Sequence, residues 1–138
     1  MRHMSDIVRD QEPLVMSPRT SVKHACRRMR ERHVGAVLVA DRNDRLIGIF
    51  TGRDAVCRVL AEGKDAAETT LAEVMTTDPC CMPPASSAIE ALRLMHDGGF
   101  RHVPVITGKK VVGIVSHGDF RGQETDRLDV ETGIWERI

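Results

Sequence analysis

Aromatic side chains are almost missing from this 138-residue chain: three Phe, one Trp and no Tyr, 3% in all. A core of this size must therefore be built from Val, Ile, Leu, Met and Ala. Single-stranded nucleic acid, which is held by stacking on aromatic platforms, finds little to stack on. An excess of charge is missing too. Lys plus Arg and Asp plus Glu are both 20, so no long-range field draws the chain to nucleic acid or to an anionic membrane. No apolar run approaches the roughly 18 residues of a membrane span. The opening MRHMSDIVRDQEP lacks the apolar stretch of a signal peptide, so the expected location is cytoplasmic. The four cysteines form neither a C-x-x-C pair nor a disulfide framework. They read as small buried or half-buried thiols, and zinc-ligand spacing is absent. There is no nucleophile elbow, no H-E-x-x-H and no Walker loop, so no enzyme activity is expected.

What is present is a repeat. Shifted by 66, the chain matches itself: Pro13 falls on Pro79, Met16 on Met82, Pro18 on Pro84, Ser21 on Ser87, Ala25 on Ala91, Met29 on Met95 and Val37 on Val103. After a turn one residue shorter in the second copy, the shift becomes 65, and Gly48 meets Gly113 and Asp54 meets Asp119. The lead-ins MSDIV and LAEVM also correspond.

Each copy predicts the same elements. PLVM and PCCM are short extended pieces. Thr20 or Ser21, and Ser86 or Ser87, are N-caps for helices with apolar stripes at Val22, Ala25, Cys26 and Met29, and at Ile89, Leu92 and Met95. Gly35 and Gly98–Gly99 are expected to end those helices. GAVLVAD and HVPVITG, then RLIGIF and KVVGIV, are strands; DAVCRVLAEG is a second helix closed by Gly63, and FRGQETDRL is a weaker one. The fold class is therefore α+β, two β-α-β-β-α repeats. Repeat 1 spans 4–67, repeat 2 spans 71–125, and a charged tail covers 126–138 with the lone Trp135. Neither copy, at about 60 residues, buries enough surface to be comfortable alone.

Both copies end in one phrase, GIFTGRDAV at 48–56 and GIVSHGDFR at 113–121. Thr51 to Asp54 and Ser116 to Asp119 have the spacing of a capping box, with Asp in place of the usual Glu or Gln. Three features point beyond a cap. A glycine lies inside each second strand, where close approach of a backbone or a ligand is the usual reason. The corner is a helix start, which favours phosphate. An aspartate offers two acceptors to a ribose diol. Hydroxyl and helix start for phosphate, with Asp for ribose, make a reader of nucleoside phosphates.

These paired G-h-h-[ST]-x-x-D phrases in matching repeats, with RHVPV at 101–105, resemble a tandem CBS-domain pair, or Bateman module, of the stand-alone bacterial type over residues 4–122. The resemblance implies a mixed three-stranded sheet with two helices per repeat, repeats packed through their sheets about a pseudo-two-fold, and a homodimer. It implies a sensor without catalytic cofactor whose regulatory ligand is AMP, ADP, ATP, NAD(H) or S-adenosylmethionine, coupled to a downstream protein. Carried over, one site has Asp119 for ribose and Ser116 for phosphate with Arg101 and His102 beside it, and Leu14, Val15, Gly35 and Ala36 walling the base. The other has Asp54 for ribose, Thr51 for phosphate and Arg53 for charge, with Cys80, Cys81 and Phe100 near the base. The Asp119 site is expected to be the better one. His102 reads either as a phosphate neighbour titrating near neutrality or as a strand-edge histidine meeting water. The basic run RRMRERH at 27–33 reads as a solvated helix face. The alternative function is a ligand-free dimerisation scaffold; a nucleic-acid-associated regulator ranks below it.

Overall fold

The computed structural model describes residues 2–120. In chain order the elements are α1 (Met4–Val8), β1 (Val15–Met16), α2 (Val22–Arg32), β2 (Ala36–Ala40), β3 (Leu46–Thr51) and α3 (Gly52–Asp54), which runs on as a π-helical stretch Ala55–Leu60. Then come α4 (Leu71–Val74), β4 (Thr76–Thr77), α5 (Ala88–Gly98), β5 (His102–Thr107), β6 (Lys110–Ser116) and a 3₁₀ turn His117–Asp119. The helix expected in FRGQETDRL and the 126–138 tail lie outside the described residues.

The chain divides into two compact units, one holding residues 12–79 and 108–111, the other residues 2–11, 80–107 and 112–120. Each unit thus combines the body of one repeat with the lead-in of the other. The same backbone bonds fasten the lead-in in both. In one unit Leu71 N donates to Thr20 O, Ala72 N to Pro18 O and Val22 N to Thr69 O. In the other Met4 N donates to Ser86 O, Ser5 N to Pro84 O and Ala88 N to Arg2 O. The lead-in helices carry reciprocal N-terminal caps, Thr70 with Glu73 and His3 with Asp6. They bury Leu71 and Val74 in one core, and Met4 and Val8 in the other.

The long helices form as their stripes predict. Ser21 Oγ accepts from His24 N at 3.1 Å and Ser87 Oγ from Glu90 N at 3.2 Å, so each cap is the second hydroxyl of its pair. Gly99 ends α5 at φ 70. The equivalent position in α2 is not Gly35, as expected, but His33, at φ 53. A left-handed residue one turn past the stripe is what the terminal carbonyls require, and here a histidine supplies it.

The first-repeat unit has a four-stranded sheet in the order β1-β2-β3-β4, parallel only between β1 and β2. All five residues of β2 are buried. Val37, Val39 and Phe50 pack with Val22, Ala25, Met29, Val59 and the lead-in's Leu71 and Val74. The second-repeat unit has β5 paired with β6. Val103, Val105 and Val115 pack with Ala91, Met95, Met4 and Val8. Each repeat supplies the three strands that the resemblance implies, but β4 of the second repeat joins the sheet of the first, so the sheets have four strands and two.

Two residues explain the difference. Leu38 N donates to Leu14 O at 2.9 Å, which opens the β1–β2 ladder. The residue 66 later is Pro104, which has no N–H. PCCM is left with a single parallel bridge, Met82 to Val105. At the other edge, Ile49 pairs with Thr76 of β4. Its counterpart Ile114 pairs instead with a side chain: Gln11 Nε2 donates to Ile114 O at 2.8 Å, and Ile114 N donates to Gln11 Oε1 at 2.6 Å. A carboxamide offers the same donor and acceptor as a peptide group, so Gln11 stands in for one residue of the missing strand.

Candidate functional site

Each repeated phrase turns the chain from its second strand into a helical corner. In the first-repeat unit Thr51 leaves β3 extended, and the next residues are helical. Thr51 N donates to Asp54 Oδ2 at 2.9 Å, and Asp54 N donates to Thr51 Oγ1 at 3.3 Å. In the second-repeat unit Ser116 N donates to Asp119 Oδ2 at 2.7 Å, and Ser116 Oγ lies 3.2 Å from the same oxygen. Both aspartates are thus capping residues, each through one carboxylate oxygen. The strand before each corner is tied the same way: Gly52 N donates to Gly35 O at 3.1 Å, and His117 N donates to Arg101 O at 2.8 Å.

The corners differ beyond this. Asp54 is 8% exposed, and its second oxygen lies 3.5 Å from Arg58 Nε, one helical turn on. Arg58 also donates to the carbonyls of Val74 and Met75. The Asp54 carboxylate is enclosed and held on both sides. Asp119 is exposed, and among the described residues its second oxygen accepts no hydrogen bond. The spacing of Asp54 and Arg58, i and i+4, is a signal that sequence reasoning could have used.

In the first-repeat unit, Leu14 is buried, with Val15 exposed beside it at 41%. Gly35 and Ala36 lie next to the Thr51 corner, since Ala36 pairs with Thr51 across β2 and β3. Arg53 is exposed. In the second-repeat unit, Arg101 is exposed and His102 half-buried at the start of β5, beside the Ser116 corner. Cys80 is exposed and Cys81 half-buried. Phe100 is half-buried against the unit's core, its ring over Gly98.

Burial pushes the His102 imidazole below its ordinary pKa of 6.5, Arg101 pushes the same way, and Asp119 opposes them. At neutral pH it is uncharged, so the expectation of titration near neutrality gives way to a neutral donor and acceptor. Burial also raises the Cys26 thiol, which keeps it protonated and inert.

The strand glycines have a packing reason. A Cβ on Gly48 would lie 2.5 Å from Met75 Sδ and 3.0 Å from Thr76 O. A Cβ on Gly113 would lie 2.7 Å from Val8 Cβ and 2.6 Å from Gln11 Oε1. Each glycine admits the lead-in segment packed on its strand, not a ligand, which corrects one of the three arguments for a nucleotide. Among the described residues no cluster of His, Cys, Asp or Glu could hold a metal ion, and no helix is long and apolar enough to cross a membrane.

The chain is similar to known proteins throughout. A family model described as "CBS domain" matches residues 4–60 and 71–123. The CBS domain-containing protein CBSCBSPB2 of Arabidopsis thaliana is 42% identical over 102 residues, 74% of this chain and 19% of the relative. The chain spans under a fifth of the length of five such plant relatives. Among solved structures, a protein with CBS domains from Burkholderia ambifaria has a TM-score of 0.78 at 26% identity, covering 98% of this chain and 99% of that one. A CBS domain protein from Pyrobaculum aerophilum, solved in complex with AMP, has a TM-score of 0.81 at 18% identity over 94% and 98%. Two family matches in tandem fall on the duplicated halves already seen in the sequence, and CBS-domain proteins are generally regulatory modules without catalysis; the chain belongs to the CBS domain family, as a tandem CBS pair with an α+β fold.

Proposed function

We propose that this chain is a non-enzymatic sensor that binds an adenosine nucleotide and acts as a homodimer. The observation that carries the reading is the open carboxylate oxygen of Asp119. One oxygen caps the corner, and the other, which accepts no hydrogen bond among the described residues, is offered to a ribose hydroxyl, beside Ser116 and the half-buried His102. Neutral His102 donates a hydrogen bond to a phosphate, and Arg101 supplies the charge. The AMP held by the Pyrobaculum relative fits the same chemistry. Asp54 has both oxygens engaged, so the Thr51 corner is the weaker site, as the unequal residues of the two copies predict. Dimerisation is assigned to the face carrying Val56 and Leu60, which are 57% and 76% exposed one helical turn apart.

A second reading is favoured by the caps themselves. Two aspartates folded onto their own main chain serve an association scaffold equally well. Thermal shift with AMP, ATP, NAD(H) and S-adenosylmethionine separates the two readings, since a ligand bound only by the folded state raises the midpoint. Titration calorimetry on Asp119→Ala and Asp54→Ala then locates the site. The sensor reading expects loss of binding for the first and a smaller change for the second. No shift with any nucleotide leaves the scaffold. Native mass spectrometry of wild type and Leu60→Glu reads the subunit count, and a monomeric wild type excludes the dimer.

A further inference from the structure

The second-repeat unit holds its corner differently from the first. Where Asp54 has Arg58 on its second oxygen, the Asp119 corner is gripped by the lead-in segment, residues 2–11. Arg2 Nη2 donates to Asp119 O at 2.9 Å. Gln11 brackets the backbone of Ile114 with its two bonds. Val8 lies in the space that a side chain at Gly113 would take. Between these ends His3 bridges Ser87 and Met4 N donates to Ser86 O. The two ends of one short segment therefore fix the two ends of the strand-to-turn stretch Ile114–Asp119.

This symmetry is not inherited from the duplication. The lead-in of the first-repeat unit places Thr69 where Arg2 stands, by the matching backbone bonds to Val22 and Ala88. A threonine hydroxyl has no long arm to reach a corner, and Thr69 Oγ1 instead donates to Asp65 O at 2.7 Å. At the Gln11 position the first-repeat unit uses the backbone of β4. Both contacts that fix the Asp119 corner are thus particular to one copy, and it is the copy with the open carboxylate.

We propose that Arg2 and Gln11 are positioning residues for the Ser116–Asp119 binding corner, so that docking of the 2–11 segment and nucleotide binding favour each other. The inference rests on the nucleotide reading of that corner. Physically, the segment is a clamp on backbone: it holds Ile114 and the Asp119 carbonyl, so the Ser116 N–H and Asp119 carboxylate keep the geometry a ligand requires. Linkage demands the reciprocal effect: a ligand that binds the clamped corner better must tighten the clamp.

The test uses the full chain and AMP as probe. Titration calorimetry compares wild type, Arg2→Ala, Gln11→Ala and Gln11→Glu; the last is isosteric, but loses the donor to Ile114 O and sets a charge against that carbonyl. About fivefold to tenfold weaker binding is expected for each, the size of one or two net hydrogen bonds. Arg2→Lys, which keeps a donor, should recover part of the affinity. A purely structural segment would also weaken binding if its loss loosened the unit, so hydrogen exchange on unmutated protein supplies the second readout. AMP should slow exchange at the amides of Met4, Ser5 and Ile114, and should no longer do so in Asp119→Ala. If wild type binds no AMP, the nucleotide reading fails and the clamp with it. If wild type binds AMP but the variants bind equally well, or those three amides are indifferent to AMP, the clamp alone is overturned.

Discussion

Placing an alanine at Gly48 tests whether the strand glycines serve packing or a ligand. Gly48 has no positive φ, so the backbone accepts a side chain and the whole effect comes from its surroundings. The new methyl would meet Met75 Sδ at 2.5 Å, Met75 Cγ at 3.0 Å and Thr76 O at 3.0 Å. The first two belong to a flexible side chain that can swing away at the cost of its own packing. Overpacking of this kind costs about 1–3 kcal/mol. In a Met75→Ala background the thioether is gone and only the carbonyl approach remains. The Gly48→Ala cost should then fall below about 1 kcal/mol, giving a coupling of about 1–2 kcal/mol in a double-mutant cycle. At Gly113 the obstacles are Gln11 Oε1 at 2.6 Å, Val8 Cβ at 2.7 Å and Val8 Cγ1 at 2.8 Å, and Val8→Ala removes only the last. No rescue is expected there, and Gly113→Ala should be the more damaging substitution, because α1 as a whole must move. Urea unfolding followed by far-ultraviolet circular dichroism measures the wild type, the four single variants and the two doubles. Equal Gly48→Ala costs in both backgrounds would refute the packing argument. So would a Gly48→Ala protein of unchanged stability that had lost nucleotide affinity, which would return the glycine to ligand approach.

Further outcomes follow from single features. Asp54→Ala should lose about 1–2 kcal/mol of unfolding free energy, since a cap and a buried ion-pair partner go together, while exposed Asp119→Ala should lose about 0.5–1 kcal/mol; the reverse order in urea titrations would contradict the burial difference. His33→Gly should stabilise α2 by up to about 1 kcal/mol, because a left-handed φ of 53 suits glycine, read as a raised midpoint. His102 has a lowered pKa when folded, so the unfolded chain binds the proton more readily. Its contribution is complete above the ordinary value of 6.5 and is lost as pH falls from there through the folded pKa. The wild-type stability profile should decline over that window relative to His102→Gln, and parallel profiles would exclude the assigned burial.

The sequence was legible where neighbours along the chain decide the outcome. Ser21 and Ser87 cap the helices they precede because a hydroxyl reaches a donor three residues away. The stripe Val22, Ala25 and Met29 is buried because helical spacing puts those residues on one face. The T-x-x-D and S-x-x-D phrases form reciprocal caps because their own spacing closes the ring. Alignment by 66 and 65 residues carried the corner of one copy onto the other, and with it the pairing of strands that the duplication repeats.

Tertiary structure decided what depends on residues far apart in the chain. Nothing near Gly113 announces that Val8 and Gln11 fill the space its missing side chain leaves, 103 residues separating Gln11 from the strand it completes. Neither does HVPVI state that the missing N–H of Pro104 reduces the first strand of one repeat to a bridge. The exchange of lead-ins between units, the enclosure of Asp54 by Arg58 and the open oxygen of Asp119 belong to the same class. A local pattern fixes which hydrogen bonds a short stretch can make with itself. Which side chains close over the rest, and which oxygen is left for another molecule, is settled only when segments without sequence proximity come to share one core.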